Sequence, residues 1–400
     1  MLDSTDLLEW DEDRLATAGV VSIAREHAAE VDAKAVLPAA ALAAMRDAGL
    51  LGAMVPRAMG GQGLLPSRIA AITAELGAAC SSSGMIFAMH QIQVACMIGH
   101  ASPASWHRQF LTRVASNGLL LASVTSEVGT GGKMRASRCA VEVAENGRLR
   151  VSKNATAISY GAYADAFLIT ARRGPDTPET DQVLVVAERG QCDLQSRGRW
   201  DAMGMRGTQT EPFALSASIA PEQVMPAPFG DIAATSMVPA SHLFWAALWL
   251  GIAADAVDRA RAFLRDGMRQ GRPLSAGASR LANAVAGLQA LQARTRALLV
   301  TYDARVALAG SAEPMDQPSA GEAVELNGLK ISVSEGAVDA ARQALLVLGF
   351  AGYQNASPYS VARHLRDLLS APLMVSNDAI REATARMLLG RSPTLGMGQN

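Results

Sequence analysis

The sequence predicts an α+β fold, mainly α, in which a small antiparallel β domain sits between two helical regions. Three observations carry this. Apolar residues recur at helical spacing up to about residue 118 and again from Pro239 almost to the end, whereas between residues 119 and 229 the period changes to that of strands. Aromatic residues are 4% of the chain, and small residues, mostly Ala and Gly, stand in their place, which suits closely packed helices better than a β-sandwich. Asn146-Gly147, between two strand-like runs, is a two-residue hairpin signal. At about 150 residues per domain, 400 residues make two or three. The boundaries are drawn at 1–118, 119–230 and 231–400.

In the first region Asp11, Glu12 and Asp13 open an Ala-rich helix, and a second starts near Pro38 with Leu42, Met45, Leu50 and Leu51 on one face. Gly49, Pro56, Gly60, Gly61 and Gly63 then break the run into a loop. A third helix follows Pro66, whose missing N–H costs nothing at a first helical position. A fourth covers 81–100, with Met85, Met89, Ile92, Cys96 and Ile98 as its apolar stripe. Strands are expected at 139–144, 148–152, 166–171, 183–187 and 212–216. Long helices follow at 242–265, 279–308 and 319–348, a loop at 310–318, and a last helix at about 378–389 capped by Ser376 or Asn377.

Lys+Arg 36 against Asp+Glu 37 argues against nucleic acid, whose phosphates need clustered cations. Apolar residues at 50% with charged ones at 18% point to apolar surface buried between subunits, a homodimer or homotetramer. Cys80, Cys96, Cys139 and Cys192 have neither disulfide nor metal-ligand spacing, so no metal site is expected. The acidic N-terminus is not a signal peptide, and the apolar run 243–254 is about 18 Å long as a helix, too short to span a bilayer. A cytoplasmic protein is the expectation.

Five segments, in order, resemble the acyl-CoA dehydrogenase superfamily over residues 10–390. They are Leu42 to Pro56 with Gly60-Gly61-Gln62-Gly63; Ser126-Glu127-Val128-Gly129-Thr130-Gly131-Gly132; Trp200 to Thr210; Ala344 to Tyr353; and Leu365-Arg366-Asp367. The resemblance implies FAD held between the β domain and a C-terminal four-helix bundle, with a second subunit completing the site. Position by position, it implies that Ser123, Thr125 and Ser126 contact the flavin ring, that Gly131 and Gly132 lie near the pyrophosphate, and that Ser159 stands at a flavin-contacting Thr. Independently, Gly129, Gly131 and Gly132 let backbone N–H groups approach a ligand, beside the hydroxyls of Thr125, Ser126 and Thr130. The family's Trp is Ala157 here, so the platform over the flavin is smaller or is rebuilt from Tyr160 or Tyr163. At the subunit contact Leu346 and Phe350 replace Gln and Gly beside Gly349, and the Arg-x-x-Phe-Gly motif has only Arg269-Gln270-Gly271 nearby, which leaves FMN as an alternative to FAD.

The family's catalytic Glu is also missing. Its two known positions fall on Val375 and at Ser241 or His242. The remaining candidates for a base are His242, His90 and Asp378, although Asp378 also reads as a helix-start residue complementing the dipole. Glu127 reads as structural, and Met85, Met89 and Met97 as helix packing.

Three functions fit. The first is α,β-dehydrogenation of an acyl thioester, such as an acyl-CoA, with an altered base and an electron-transfer partner; it leads because the whole-chain layout is that of the dehydrogenases. The second is a monooxygenase of the same fold, in which flavin reduced by a separate reductase reacts with O2 and no α-proton base is needed; Val375, His90 and Ser159 fit it. The third is a non-catalytic subunit of a heteromer.

Overall fold

In a computed structural model of the chain the described residues are 11–273, 277–309 and 315–390. The first region holds α1 (Asp11–Lys34), α2 (Ala39–Asp47), α3 (Pro66–Ala79), α4 (Ser81–Ile98) and α5 (Trp106–Asn117). Pro66 opens α3 as the sequence predicts. Helix α5, not singled out in the sequence, is capped by Ser105, whose Oγ accepts the Arg108 N–H, and ends at Gly118 with φ +59°. Helix α4 is buried on nearly every side, which its Met-rich stripe alone did not foretell.

The middle region is two sheets. One, in the order β2 (Val141–Val143), β3 (Leu149–Ile158), β7 (Glu211–Ile219), β6 (Cys192–Ser196), is antiparallel throughout. Gly147, at φ +75°, makes the predicted hairpin turn between β2 and β3. The other sheet runs β1 (Leu121–Val124), β4 (Ala166–Arg172), β5 (Gln182–Glu188); β4 and β5 are antiparallel, and β1 and β4 form the one parallel pair in a mainly antiparallel region among the described strands. A parallel pair needs a long crossover, and the 41 residues from 125 to 165 supply it by building β2 and β3 of the other sheet on the way. Strand β3 slips register between Ala155 and Ile158, a bulge that lets residues 156 and 157 leave the ladder.

The last region begins with α6 (Phe229–Ile232), passes through a π turn at Ala233–Met237 and runs straight into α7 (Val238–Arg269), four residues earlier than the sequence pattern suggests. Helix α8 (Gly277–Ala309) and α9 (Ala320–Leu348) pack on α7 and on each other. The short α10 (Phe350–Tyr353) and α11 (Ala362–Leu368) follow, and α12 (Asn377–Gly390) lies along α9. Ser319 and Glu322 close a reciprocal capping box at the start of α9. Part of the loop expected at 310–318, residues 310–314, lies outside the described residues. The continuous helix Phe229–Arg269 is long and apolar enough to cross a membrane, which the estimate from residues 243–254 missed; 89% of its most apolar window is buried inside the molecule, as in a core helix.

What buries it is the close approach of α3. A Cβ added at Gly251 would meet the Ala74 carbonyl oxygen at 2.1 Å, and one at Gly77 the Leu248 carbonyl oxygen at 2.8 Å. The two helices therefore touch backbone to backbone, which only glycine permits at these positions.

Candidate active site

A cavity of about 530 Å³ opens where the β domain, α4, the start of α7 and the 370–375 turn meet. From the β domain come Ser123 and Thr125 at the end of β1, Ser126, Ala157 and Ser159. From the helices come Met85, Met89, Ile92, Gln93, His242 and Trp245, and from the turn Ser370, Met374 and Val375. Ser123, Thr125, Ser126, Ser159, His242 and Val375, each singled out in the sequence, all line this cavity.

Two of these hydroxyls have fixed roles. Ser126 Oγ donates to the Ala157 carbonyl at 2.8 Å and accepts the Ala157 N–H at 3.1 Å, so it ties the glycine-rich turn to the bulge of β3. Ser159 belongs to a chain whose direction can be worked out. Thr208 Oγ1 donates to the Met205 carbonyl (2.8 Å), so it accepts from Thr210 Oγ1 (2.8 Å), and Thr210 in turn accepts from Ser159 Oγ (2.9 Å). The Ser159 proton is committed to that chain and its lone pairs remain for a ligand N–H or O–H.

Glu127 is structural. Its carboxylate accepts Ser137 Oγ–H (2.8 Å), Arg138 N–H (3.0 Å) and Cys139 N–H (2.8 Å), with the buried Lys153 ammonium at 3.7 Å. This knot holds the base of the 126–139 loop. Gly129, Gly131 and Gly132 all have positive φ, and a Cβ at Gly131 or Gly132 would meet nothing within 4 Å, so this arm of the turn is open to an incoming group.

His242 is the one titratable residue among those lining the cavity. It is 4% exposed, one ring nitrogen bonds the Leu326 backbone, and Nδ1 has no partner. Burial, and then the nearby Lys330 ammonium, push its pKa down to about 4. It is neutral at pH 7, and its Nδ1 is left without a protein partner. Trp245 Nε1 and Gln93 Oε1 are likewise buried on this wall without a partner. Buried polar atoms of this kind, converging on one hollow, are what a bound polar ligand satisfies.

Behind the wall, Lys330 is fully buried and donates to Ala371 O (3.1 Å), Val375 O (2.8 Å) and Asn377 Oδ1 (2.6 Å). It clamps the turn whose Val375 has φ +50°, a left-handed conformation that costs a β-branched residue strain.

Other predicted residues are placed elsewhere. His90 is a correction: Nδ1 accepts the Leu121 N–H (3.0 Å), Nε2 therefore donates to Leu51 O (2.7 Å), and the ring, 0% exposed, joins α4 to β1 without lining the cavity. Asp378 sits in the first turn of α12 with its side chain 93% exposed, paired with Arg381 at 3.2 Å, and it too is outside the cavity. Arg269 is at the exposed end of α7 beside Asp266 (3.4 Å), and Gly349, at φ +57°, ends α9; neither reaches this chain's cavity. Neither tyrosine rebuilds the platform missing at Ala157. Tyr160 is fully buried with its hydroxyl on Leu121 O (2.9 Å), and Tyr163 points outward at 47% exposure. The aromatic surface comes instead from Trp200, whose Nε1 donates to Met205 O (2.9 Å), and from Trp245. Trp245 had a legible signal, since His242, Trp245 and Trp249 fall at i, i+3 and i+7 on one face of α7. Lys330 had none, because its partners are backbone carbonyls 41 and 45 residues away.

Comparison with known proteins adds the following. Residues 16–118 match the model of the acyl-CoA dehydrogenase N-terminal domain and residues 233–384 that of the C-terminal domain. A cyclohex-1-ene-1-carbonyl-CoA dehydrogenase of Geobacter metallireducens is 25% identical over 374 residues, covering 91% of this chain and 93% of the relative. A dibenzothiophene monooxygenase of Rhodococcus erythropolis is 25% identical over 276 residues, covering 66% of this chain and 65% of the relative. The FMN-bound crystal structure of TdsC from Paenibacillus sp. A11-2 superposes with a TM-score of 0.82 at 20% identity, covering 96% of this chain and 99% of that one.

Proposed function

This chain belongs to the acyl-CoA dehydrogenase superfamily and is a flavin-dependent oxidoreductase, and we propose that within that family it is a monooxygenase acting on a flat, uncharged, heteroatom-bearing aromatic substrate. One observation carries the reading: among the described residues lining the cavity there is no carboxylate, and the sole titratable group, His242, is neutral and weakly basic. A dehydrogenase must remove an α-proton, and the efficient base has a pKa near the working pH. A base near 4 takes little of that load.

The cavity fits a flavin ring. Its volume suits a tricyclic ring system, and its lining mixes the hydroxyls of Ser123, Thr125, Ser126, Ser159, Thr208 and Thr210 with apolar side chains. Bound there, the flavin supplies two-electron redox chemistry and, when reduced, activation of O2. Ser159 accepts a ligand N–H or O–H, because its own proton is committed to Thr210. His242, neutral at neutral pH, presents an unpartnered Nδ1 to a bound group. Six methionines and two tryptophans keep water out and give sulfur and π surface to an aromatic substrate. The clamp of Lys330 on Val375 O fixes the edge of the hollow where the family carries its Glu.

The exposed Leu346 (50%), Phe350 (81%) and Tyr353 (68%) form an apolar patch near Gly349, and a second copy of the chain is its proposed cover. Acid release of the chromophore and its mass distinguish FAD, which the sequence resemblance implies, from FMN. A separate flavin reductase is the proposed electron source.

The test is two-armed. Anaerobic mixing of the yellow protein with a panel of acyl-CoAs is expected to leave the absorbance unbleached, and the reduced protein given ¹⁸O₂ and indole or dibenzothiophene is expected to place one labelled oxygen in the product. Bleaching by an acyl-CoA would overturn the proposal in favour of the second reading, acyl thioester dehydrogenation with His242 as the base. That reading is favoured by the unpartnered Nδ1.

A further inference from the structure

A second large hollow lies on the far side of the segment that carries Met205. It is a cleft of about 610 Å³ between α1, α7 and residues 355–366, walled by Arg25, Arg206, Arg259, Arg363, Arg366 and His364. Two carboxylates meet these cations. Asp255 is shared by Arg25 (3.2 Å), Arg259 (2.8 Å) and His364 (2.8 Å), while Asp32 is held by Arg366. Five guanidiniums face the carboxylates of Asp32 and Asp255 and, beside Arg363 and Arg366, the buried Asp367 carboxyl, which leaves an excess of at least two positive charges, since burial keeps the His364 pKa below its ordinary value.

The excess is concentrated in two side chains. Arg206 gives Nε to Asp32 O (2.8 Å) and Nη1 to Ala202 O (3.1 Å), and Arg363 gives Nη2 to Ala79 O (3.3 Å); neither has an ion pair among the described residues. A guanidinium carries five N–H donors, so most of theirs are unspent. His364, 3% exposed, gives its Nε2–H to Asp255, so its unpartnered Nδ1 is an acceptor, suited to a ligand hydroxyl and not to an anion oxygen. On the rim, Ser357 Oγ accepts the Tyr359 N–H (3.2 Å) and Ser360 Oγ the Ala362 N–H (3.5 Å), so both hydroxyl protons are available, beside the Asn355 amide. Like charges gathered in one concavity repel one another, and an anion with several oxygens relieves that repulsion with charge-assisted bonds.

We propose that this cleft binds a small phosphorylated anion of about nucleotide size, at a site separate from the flavin cavity. The arginines select phosphate. The volume selects the size, because a bare phosphate leaves most of 610 Å³ empty, and the neutral donors of Asn355, Ser357 and Ser360 suit a body carrying hydroxyls.

Titration calorimetry on the flavin-loaded protein, with pyrophosphate and ADP as probes, tests this. One saturable site is expected, tighter for ADP than for pyrophosphate and weakening as salt is raised. Arg363→Gln and Arg25→Gln should each weaken ADP binding about tenfold or more, with flavin absorbance and turnover unchanged. Arg25 is half exposed, so its variant leaves the fold intact. No saturable heat with either probe overturns the proposal, as does equal affinity in both variants. Pyrophosphate binding without ADP binding removes the nucleotide-sized body. Binding seen only in flavin-stripped protein, and lost on reloading, makes the cleft an arm of the cofactor site and ends the claim of a separate one.

Discussion

Met205 lines the cavity proposed for the flavin and Arg206 lines the cleft, so one short turn of chain forms part of both walls. On the Met205 side lie methionines, tryptophans and hydroxyls, with one histidine kept neutral; on the Arg206 side, charges are packed closely enough to share carboxylates. The same layer of backbone therefore separates a hollow that resists protons from one that attracts anions. What differs is supply. The cavity is closed in by α4 and the first half of α7, residues 239–253, which are buried on almost all faces, and the cleft lies between α1, the charged second half of α7 and α11.

Acid should expose the contrast most strongly. Burial first holds both His242, in the cavity, and His90, behind it, near 4 against an ordinary 6.5. Between those values the unfolded chain binds protons that the folded one refuses, so stability rises with pH across the window and is lost as pH falls from about 6.5 to 4. The loss is roughly 3 kcal/mol for each ring. Urea midpoints from pH 7 to 4 measure it, and His242→Asn should remove that ring's share, while His100, His107 and His364, also held below 6.5 by burial, keep part of the slope.

Next comes Lys330→Met. It leaves Ala371 O, Val375 O and Asn377 Oδ1 without their donor, at a cost of about 3 kcal/mol by thermal or urea unfolding. Because the ammonium also pushes the His242 pKa down, NMR titration of that ring should report a higher value in the variant. An unchanged value would separate the clamp from the histidine.

Ser159→Ala should lower turnover about tenfold, near 1.4 kcal/mol, with flavin retained, while Ser159→Thr keeps most of the activity. The smallest effect belongs to the cleft. Arg25→Gln should change stability by less than about 0.5 kcal/mol, since the Arg25 side chain is 50% exposed and Asp255 keeps Arg259 and His364.

Helix period, the Asn146-Gly147 hairpin and the Pro66 start were legible because each is a local signal, read from neighbours in the chain. The parallel β1–β4 pair was not, since nothing local in Leu121–Val124 reports a partner 45 residues on. The cavity wall of Ser123, Thr125, Ser126, Ser159 and His242 followed from motif order. His90 and His242 look alike in sequence, each a lone histidine on an apolar helix; only the backbone groups facing them, Leu51 O and Leu121 N for one and Leu326 for the other, tell a tie from a free lone pair. The arginines of the cleft come from α1, the turn after Met205, α7 and α11, four places no spacing rule connects.

The glycine contacts of α3 with α7 bear on how anything enters the cavity. With Gly251 against Ala74 and Gly77 against Leu248, the part of α7 just past His242 and Trp245 is seated like a rail and has no free travel. With the 371–376 turn held by Lys330 as well, the free edge of the mouth is the glycine arm at 129–132, where Gly131 and Gly132 face open space. Amide hydrogen exchange should find the doorway there, with residues 129–132 trading deuterium well before residues 243–252 do.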